Sequence, residues 1–320
     1  MPATQQLPYL SEQDLATLGI ATREVIDAIE QTIALVDEQR AWSAPKAVII
    51  TEDGRYMMAA LAAADEPQLL AVKTLVLNPR NPERDLPQIN GLVTMLDSDT
   101  GLPVAILDAN WITAVRTAGL SAVAAKRLAR KDARSLALIG CGVQARSHLH
   151  AFAELFPLEK VKLFGRGWAN IDRTRAEADR LGLYTEVCED ANTALADADL
   201  VVSSLTYAPG MTPFLDPNKL KPGAFAAVTD LAAPWFKEDF AALDRVVIDD
   251  LEQEAAMPNK LLPEDLISGD LAGLVLERLP GRQSPDERTA FVFRGHAMGD
   301  LALAMLAWQR WQQERGAQTP

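Results

Sequence analysis

Residues Ser135–Phe152 read SLALIGCGVQARSHLHAF. The apolar run Leu136–Ile139, entered from the polar Lys131–Arg134, has the length and composition of a strand buried inside a parallel sheet. Gly140, Cys141, Gly142, Val143, Gln144 and Ala145 follow as a G-x-G-x-x-A turn. Val143, Leu149, Phe152 and Leu155 then recur toward one side of a helix. Strand, glycine turn and helix N-terminus together suit a dinucleotide pyrophosphate. Gly140 permits the tight turn, Gly142 lets the backbone approach the phosphates, and Ala145 allows the helix close to the strand. The same glycines also fit an ordinary tight turn that binds no nucleotide.

Outward from this stretch, apolar runs at 161–164, 185–188, 200–204, 224–229 and 245–249 read as strands, with helical patterns at 143–156, 169–182 and 190–198. The alternation predicts an α/β, doubly wound parallel sheet of Rossmann type. Residues 255–290 show no pattern that places them. Upstream, Ser11 and Asp14 form a capping-box pattern before a short helix. From Thr22, Val25, Ile26, Ile29, Ile33 and Val36 recur at helical spacing as a packing face. Short apolar runs at 46–51, 56–62, 69–77, 91–97 and 102–108 are separated by turn residues, among them Asp99-Thr100-Gly101, and predict a mostly antiparallel sheet. Asp108 is placed to cap a long helix over 109–130 that joins the two halves. Met298–Gln313 is a final helix whose broad apolar surface packs back onto another domain or a partner subunit.

The 320 residues suffice for one large or two ordinary domains, and 48% hydrophobic with 23% charged residues is a globular balance. A net charge of −13 argues against nucleic acid or anionic membrane as a general partner, so an anionic substrate would need local cations. No uninterrupted apolar stretch is long enough to span a bilayer, and Met1–Leu10 lacks the basic and apolar regions of a signal peptide. The two cysteines, Cys141 and Cys188, stand outside any CxxC, which fits a reduced, cytoplasmic setting. The three histidines, His148, His150 and His296, form no ligand pattern, and no metal is expected.

Several polar residues sit where chemistry is possible. Arg116 lies among small and apolar neighbours in Trp111–Gly119, so its guanidinium needs an anion: a structural carboxylate or a substrate carboxylate held in a two-pronged contact. Lys73 interrupts the apolar run 69–77, either snorkelling to an edge or entering a site. Lys46, after Pro45, reads by itself as a solvated lysine. Asp230 ends the strand containing Phe225–Val228, where the ligand crevice of a parallel sheet opens. It is a proton donor or acceptor there, or a turn residue. The strand before Gly165 and Arg166 ends without the acid that often binds the ribose of NAD. Arg166 instead leans the reading toward a 2′-phosphate, and hence NADP. Ser203 and Ser204 end another strand and either line the adenosine side or open a loop. In Gly295–Asp300, Asp300 is explained by a helix N-terminal position, and the backbone around His296 is placed to approach a nicotinamide.

Taken in order, Pro45-Lys46, Lys73 with Asn78-Pro79, Asp97–Gly101 with Leu102-Pro103, Arg116-Thr117-Ala118, the glycine turn, Asp199–Ser204, Asp230 and Gly295-x-Ala-x-x-Asp300 resemble the ornithine cyclodeaminase/mu-crystallin family over nearly the whole chain. The resemblance implies a substrate-binding and dimerisation domain over 1–118, completed by the helix 300–320, and a Rossmann domain over 119–299. It implies a homodimer, NAD or NADP as cofactor, and a small amino or imino acid as substrate. Lys73 and Arg116 would hold the substrate carboxylate, with Lys46 where the family usually has arginine. Asp230 would be the catalytic acid, and Gly140, Gly142, Val143, Gln144, Ala145, Arg166, Ser204 and His296 would meet the cofactor. The implied activity is NAD(P)H-dependent reduction of an α-imino acid, with iminosuccinate, pyrroline-2-carboxylate and iminopyruvate as candidates. Ornithine cyclodeamination and a non-catalytic, crystallin-like binder are the alternatives. After Asp230 the chain reads Leu-Ala-Ala-Pro-Trp, a departure from the cyclodeaminase pattern Asp-x-Pro-Gly-Lys.

Overall fold

In a computed structural model that describes residues 7–206 and 210–317, the chain divides into two units. One joins the residues up to Arg116 with those from His296 onward, and the other is Thr117–Gly295.

The first unit begins with β1 (Tyr9–Leu10), α1 (Glu12–Thr17) and α2 (Thr22–Asp37). Five long strands follow: β2 (Ala41–Ile50), β3 (Tyr56–Asp65), β4 (Gln68–Leu77), β5 (Ile89–Asp97) and β6 (Pro103–Asp108). The sheet order is β1-β6-β5-β4-β3-β2, antiparallel except that β1 runs parallel to β6. Ser11 and Asp14 form the reciprocal cap of α1. Side chains alternate across the sheet with period two. Met58, Ala60, Ala62 and Ala64 of β3 and Leu69, Ala71 and Lys73 of β4 share the buried face. Trp42, Ile49, Leu61, Val76 and Leu92 share the other face, where Val76 is 38% and Ile49 63% exposed. Asp108 ends β6 and caps α3 (Ala109–Leu128) by accepting the Trp111 N–H at 2.9 Å.

The second unit alternates β7 (Ser135–Ile139), α4 (Val143–Leu155), β8 (Lys160–Phe164), α5 (Trp168–Arg180), β9 (Tyr184–Val187), α6 (Ala191–Ala196) and β10 (Leu200–Ser203). It continues with β11 (Phe225–Val228), β12 (Arg245–Ile248), α7 (Leu251–Ala256), β13 (Gly269–Asp270), α8 (Leu271–Val275) and β14 (Thr289–Val292). All eight strands are parallel, in the order β9-β8-β7-β10-β11-β14-β12-β13. The predicted doubly wound sheet is present, and strand order reverses between β7 and β10. The region 255–290 is where sequence pattern fails. It holds short elements of three, two and five residues and leads into β14, a four-residue strand that inserts between β11 and β12. Elements this short carry too few turns to show a period.

α9 (Ala297–Ala317) returns to the first unit and packs on α2, β2, β3 and β4, with Leu301–Ala304 buried. Its apolar breadth is therefore absorbed within the chain's own first unit. Among the described residues, no helix is long and apolar enough to cross a membrane.

The turn after β7 is tightly constrained. Gly140 has φ +92°, its N–H donates to the Phe164 carbonyl at 2.8 Å, and a Cβ there would lie 2.9 Å from the Ser204 carbonyl oxygen. Gly140→Ala should therefore cost about 1–3 kcal/mol of stability in urea denaturation. Gly142→Ala, at a position where an added Cβ meets no atom within 4 Å, should leave the midpoint almost unmoved.

Candidate active site

Lys73 is carried by β4 on the face that α9 covers, opposite Ala60 and Val93, and is 1% exposed. Period-two alternation drives it inward with Leu69 and Ala71, so it does not snorkel. The first turn of α9 brings Asp300 to it: Lys73 Nζ donates to Asp300 Oδ1 at 2.6 Å and reaches Thr113 Oγ1 at 3.5 Å. Arg116 on α3 arrives at the same carboxylate, with Nε 3.0 Å from Asp300 Oδ1. Two buried cations thus share one oxygen of one acid. Burial and the Arg116 charge push the Lys73 amine down to about 7, while Asp300 works against them. Burial alone would raise the Asp300 carboxyl, yet Lys73 and Arg116 hold it below the usual carboxylate range. Lys46 on β2 is half-buried and adds its field, depressing both groups further.

This cluster is incomplete in charge and in hydrogen bonding. Arg116 Nη1 and Asp300 Oδ2 are buried with no hydrogen-bond partner, and the approach of Arg116 Nε to Asp300 is not aligned as a hydrogen bond. Buried donors of this kind are normally satisfied. Positive charge therefore exceeds negative around a guanidinium with donors to spare, which is what a small carboxylate requires. Asp300 corrects the sequence-based expectation. Its helix N-terminal position is real, but its carboxylate is the common partner of Lys73 and Arg116. The signal was there in outline: two cations in apolar segments each need an anion, and Asp300 starts an apolar helix. His296, in the same unit, has Nε2 3.4 Å from Ser43 Oγ, and its Nδ1 accepts the Met298 N–H at 3.3 Å.

In the second unit, the reversal between β7 and β10 opens a crevice at the strands' C-terminal ends. Gly140 ends one side and Ser204 the other. Gly142 caps α4 without a side-chain hydrogen bond and with open space where a Cβ would stand. This 13-residue helix starts at that turn, and the first turn of a helix offers amides that have no intrahelical partner. Ala145 is fully buried, Val143 is 57% exposed, and the Gln144 carbonyl receives His148 Nδ1 at 2.7 Å. Ser204 Oγ is buried without a hydrogen-bond partner. Past β8, a Cβ on Gly165 would lie 3.2 Å from Cys141 Sγ, and Arg166 is exposed. These residues fit a dinucleotide: a helix N-terminus without a side-chain cap, a glycine that leaves room, and an orphaned hydroxyl.

Asp230 follows β11 at the same end of the sheet and is 4% exposed. Ser203 Oγ donates to its Oδ1 at 3.1 Å and the Leu205 N–H to its Oδ2 at 3.2 Å. Burial outweighs both donors and pushes the carboxyl up to about 7. Such an acid exchanges a proton near neutrality. Lys46, Lys73, Arg116 and His296 thus belong to the first unit, and Asp230 with the glycine turn, Arg166 and Ser204 to the second. Among the described residues, no group of three or more His, Cys, Asp or Glu is placed to hold a metal ion.

Comparison with known proteins follows the same outline. The alanine dehydrogenase of Archaeoglobus fulgidus is 25% identical over 317 residues, covering 94% of this chain and 94% of its own. The structure of Thermococcus litoralis Delta(1)-pyrroline-2-carboxylate reductase in complex with NADH and L-proline matches with a TM-score of 0.88 at 26% identity, covering 96% of this chain and 98% of the other. The iminosuccinate reductase of Paracoccus denitrificans in complex with NAD+ matches with a TM-score of 0.79 at 26% identity, covering 96% and 97%. The sequence pattern of the ornithine cyclodeaminase/mu-crystallin family matches residues 10–315, and the chain belongs to that family.

Proposed function

We propose that this protein is an NAD(P)-dependent oxidoreductase that reduces a small α-imino acid to the L-amino acid. The observation that carries the reading is the buried Lys73–Asp300–Arg116 cluster, with excess cationic charge and an unpartnered guanidinium nitrogen. The relatives named above support it, since their names join an amino- or imino-acid substrate to a nicotinamide cofactor or to dehydrogenation.

The residues divide the work. The first unit is the substrate-binding domain. Arg116 grips the α-carboxylate with two parallel N–H bonds, and Lys73 adds a point charge to the same group. A charge-assisted bond of this kind contributes about 1.5–3 kcal/mol. Asp300 keeps both cations in place while leaving one of its own oxygens unpaired. Lys46 adds a cation that suits a second carboxylate, which favours a dicarboxylic imino acid such as iminosuccinate. The second unit is the dinucleotide-binding domain. Gly140, Gly142, Val143, Gln144, Ala145 and Ser204 hold the pyrophosphate and ribose, His296 meets the nicotinamide side, and Arg166 favours a 2′-phosphate. When bound, the nicotinamide supplies a hydride at C4. Asp230, protonated, gives its proton to the imine nitrogen, so that the α-carbon becomes electrophilic. As hydride adds to that carbon, the C=N π pair settles on nitrogen, and Asp230 is left as the carboxylate. In the reverse direction the carboxylate takes the proton back.

The exposed apolar face of the first sheet supports a homodimer, because Trp42, Ile49, Leu61, Val76 and Leu92 form a contiguous surface.

Five outcomes test the proposal. NADH or NADPH, offered with ammonia and pyruvate or oxaloacetate, or with pyrroline-2-carboxylate, should be oxidised with at least one acid. Asp230→Asn should slow that reaction roughly 10²–10⁴-fold while cofactor affinity changes little. A flat nicotinamide absorbance with every acid would end the catalytic reading. The pH dependence should split by direction. Reduction needs neutral Asp230 and should fall as pH rises through about 7, whereas amine oxidation needs the carboxylate and should rise. The folded value lies above the ordinary 3.8, so the stability contributed by the neutral acid is complete below 3.8 and lost as pH climbs through about 7. Asp230→Asn should remove that dependence from denaturation midpoints. Finally, Ile49→Glu should convert a dimer to a monomer in sedimentation equilibrium.

A further inference from the structure

The segment that departs from the cyclodeaminase pattern, Leu231–Trp235, is built against the proposed acid. Trp235 is fully buried, and its indole Nε1–H donates to Ser203 Oγ at 2.8 Å, while Ser203 donates to Asp230 Oδ1 at 3.1 Å. An indole N–H can only donate. It occupies a lone pair of the hydroxyl and so directs the single Ser203 proton to the carboxyl. The backbone between the two ends is strained: Leu231 has φ +61° and Ala232 φ +53°, consecutive non-glycine residues in the left-handed region. Such a conformation is strained for a residue with a Cβ and persists only where its surroundings hold it. Here the turn is tied by the Ala233 N–H to Asp230 O at 3.1 Å, the Trp235 N–H to Ala232 O at 3.2 Å, and edge-on packing of Trp235 on Phe240 at 5.6 Å.

We propose that Trp235 and Ser203 are positioning residues for Asp230: a directed chain, indole to hydroxyl to carboxyl, that fixes the carboxyl plane and keeps the transferable proton on a lone pair neither donor uses. The inference rests on the reading of Asp230 as the group that moves the proton. The chain also stabilises the ionised form, since Ser203 from β10 and the Leu205 amide each donate to one carboxyl oxygen. Besides these, only Asp230's own backbone amide lowers its proton affinity; no charged side chain among the described residues contributes to the displacement. Burial raises that affinity and the donors moderate it, so the chain keeps both protonation states accessible near neutrality.

The test is the pH profile of turnover in the amine-oxidising direction, measured with Ser203→Ala and Trp235→Phe. Loss of a hydrogen bond to a charged group corresponds to about one pH unit. Ser203→Ala should therefore move the rising limb up by about one unit, and Trp235→Phe, which leaves the hydroxyl undirected, by about half as much in the same direction. Dinucleotide affinity, read by nicotinamide fluorescence, should stay within about twofold of the unmodified protein, as expected for changes outside the glycine turn. Limbs that stay in place in folded variants overturn the proposal. If Trp235→Phe fails to fold, Ser203→Ala decides alone, because it removes one oxygen and adds no bulk. Asp230→Asn separates the two levels: wild-type turnover there removes the proton-transfer reading itself. An inactive Asp230→Asn beside unmoved limbs removes only the positioning role.

Discussion

Two buried cations in the first unit cannot be dismissed to solvent, and one carboxylate holds both. Lys73 is enforced by the alternation of β4, Arg116 by its place on α3, and Asp300 by the opening turn of α9. The desolvation cost of three buried charges is met only if each has partners of good geometry. Lys73 donates to one Asp300 oxygen at 2.6 Å, while the other Asp300 oxygen and Arg116 donors are left unspent. That unspent capacity is what a substrate can exploit. A fully satisfied ion network would be a piece of core, while this one retains the means to bind an anion.

The second unit follows a different logic, in which backbone rather than charge shapes the crevice. At Gly140 the neighbouring strand's carbonyl leaves no room for a side chain, whereas at Gly142 the room is empty. The two glycines of one motif therefore have separate physical reasons, one internal packing and one access. Asp230 stands at the same end of the sheet, and burial raises its proton affinity against hydrogen bonds that lower it. On the proposed reading the two units carry complementary chemistries: one would anchor a negative headgroup, and the other would bring a phosphate cradle and a buried acid whose carboxyl is pushed up to about 7.

Much of this was legible in the residues. The strand-turn-helix at 135–152, the alternation to β12 and the hairpins of 46–108 follow from period and turn chemistry, which are local properties. What escaped is non-local. β14 is four apolar residues whose place between β11 and β12 no pattern announces. β1 is two residues long and is defined only by its pairing with β6. At the site, Lys73 and Arg116 were recognisable because charges in apolar segments demand partners. Asp300 was harder, because an acid at a helix start already has a sufficient local reason to exist. Ser203 and Trp235 gave less signal still: a hydroxyl and an indole are unremarkable until both are seen on one carboxyl.

The position of β14 also bears on how the chain is made. β11 and β12 are not neighbours in the sheet. They are separated by a strand that leaves the ribosome some forty residues after β12, counting from Ile248 to Thr289. Until then the middle of the second sheet lacks a member and its apolar edges are open. The first unit waits longer, since α9, which covers its sheet and brings the acid for Lys73 and Arg116, is translated after the whole of the second unit. The second unit, a continuous stretch, can therefore close before the first, whose two segments flank it. Until α9 emerges, the nascent first unit carries an uncovered sheet face and two uncompensated cations, the kind of transient exposure that invites aggregation.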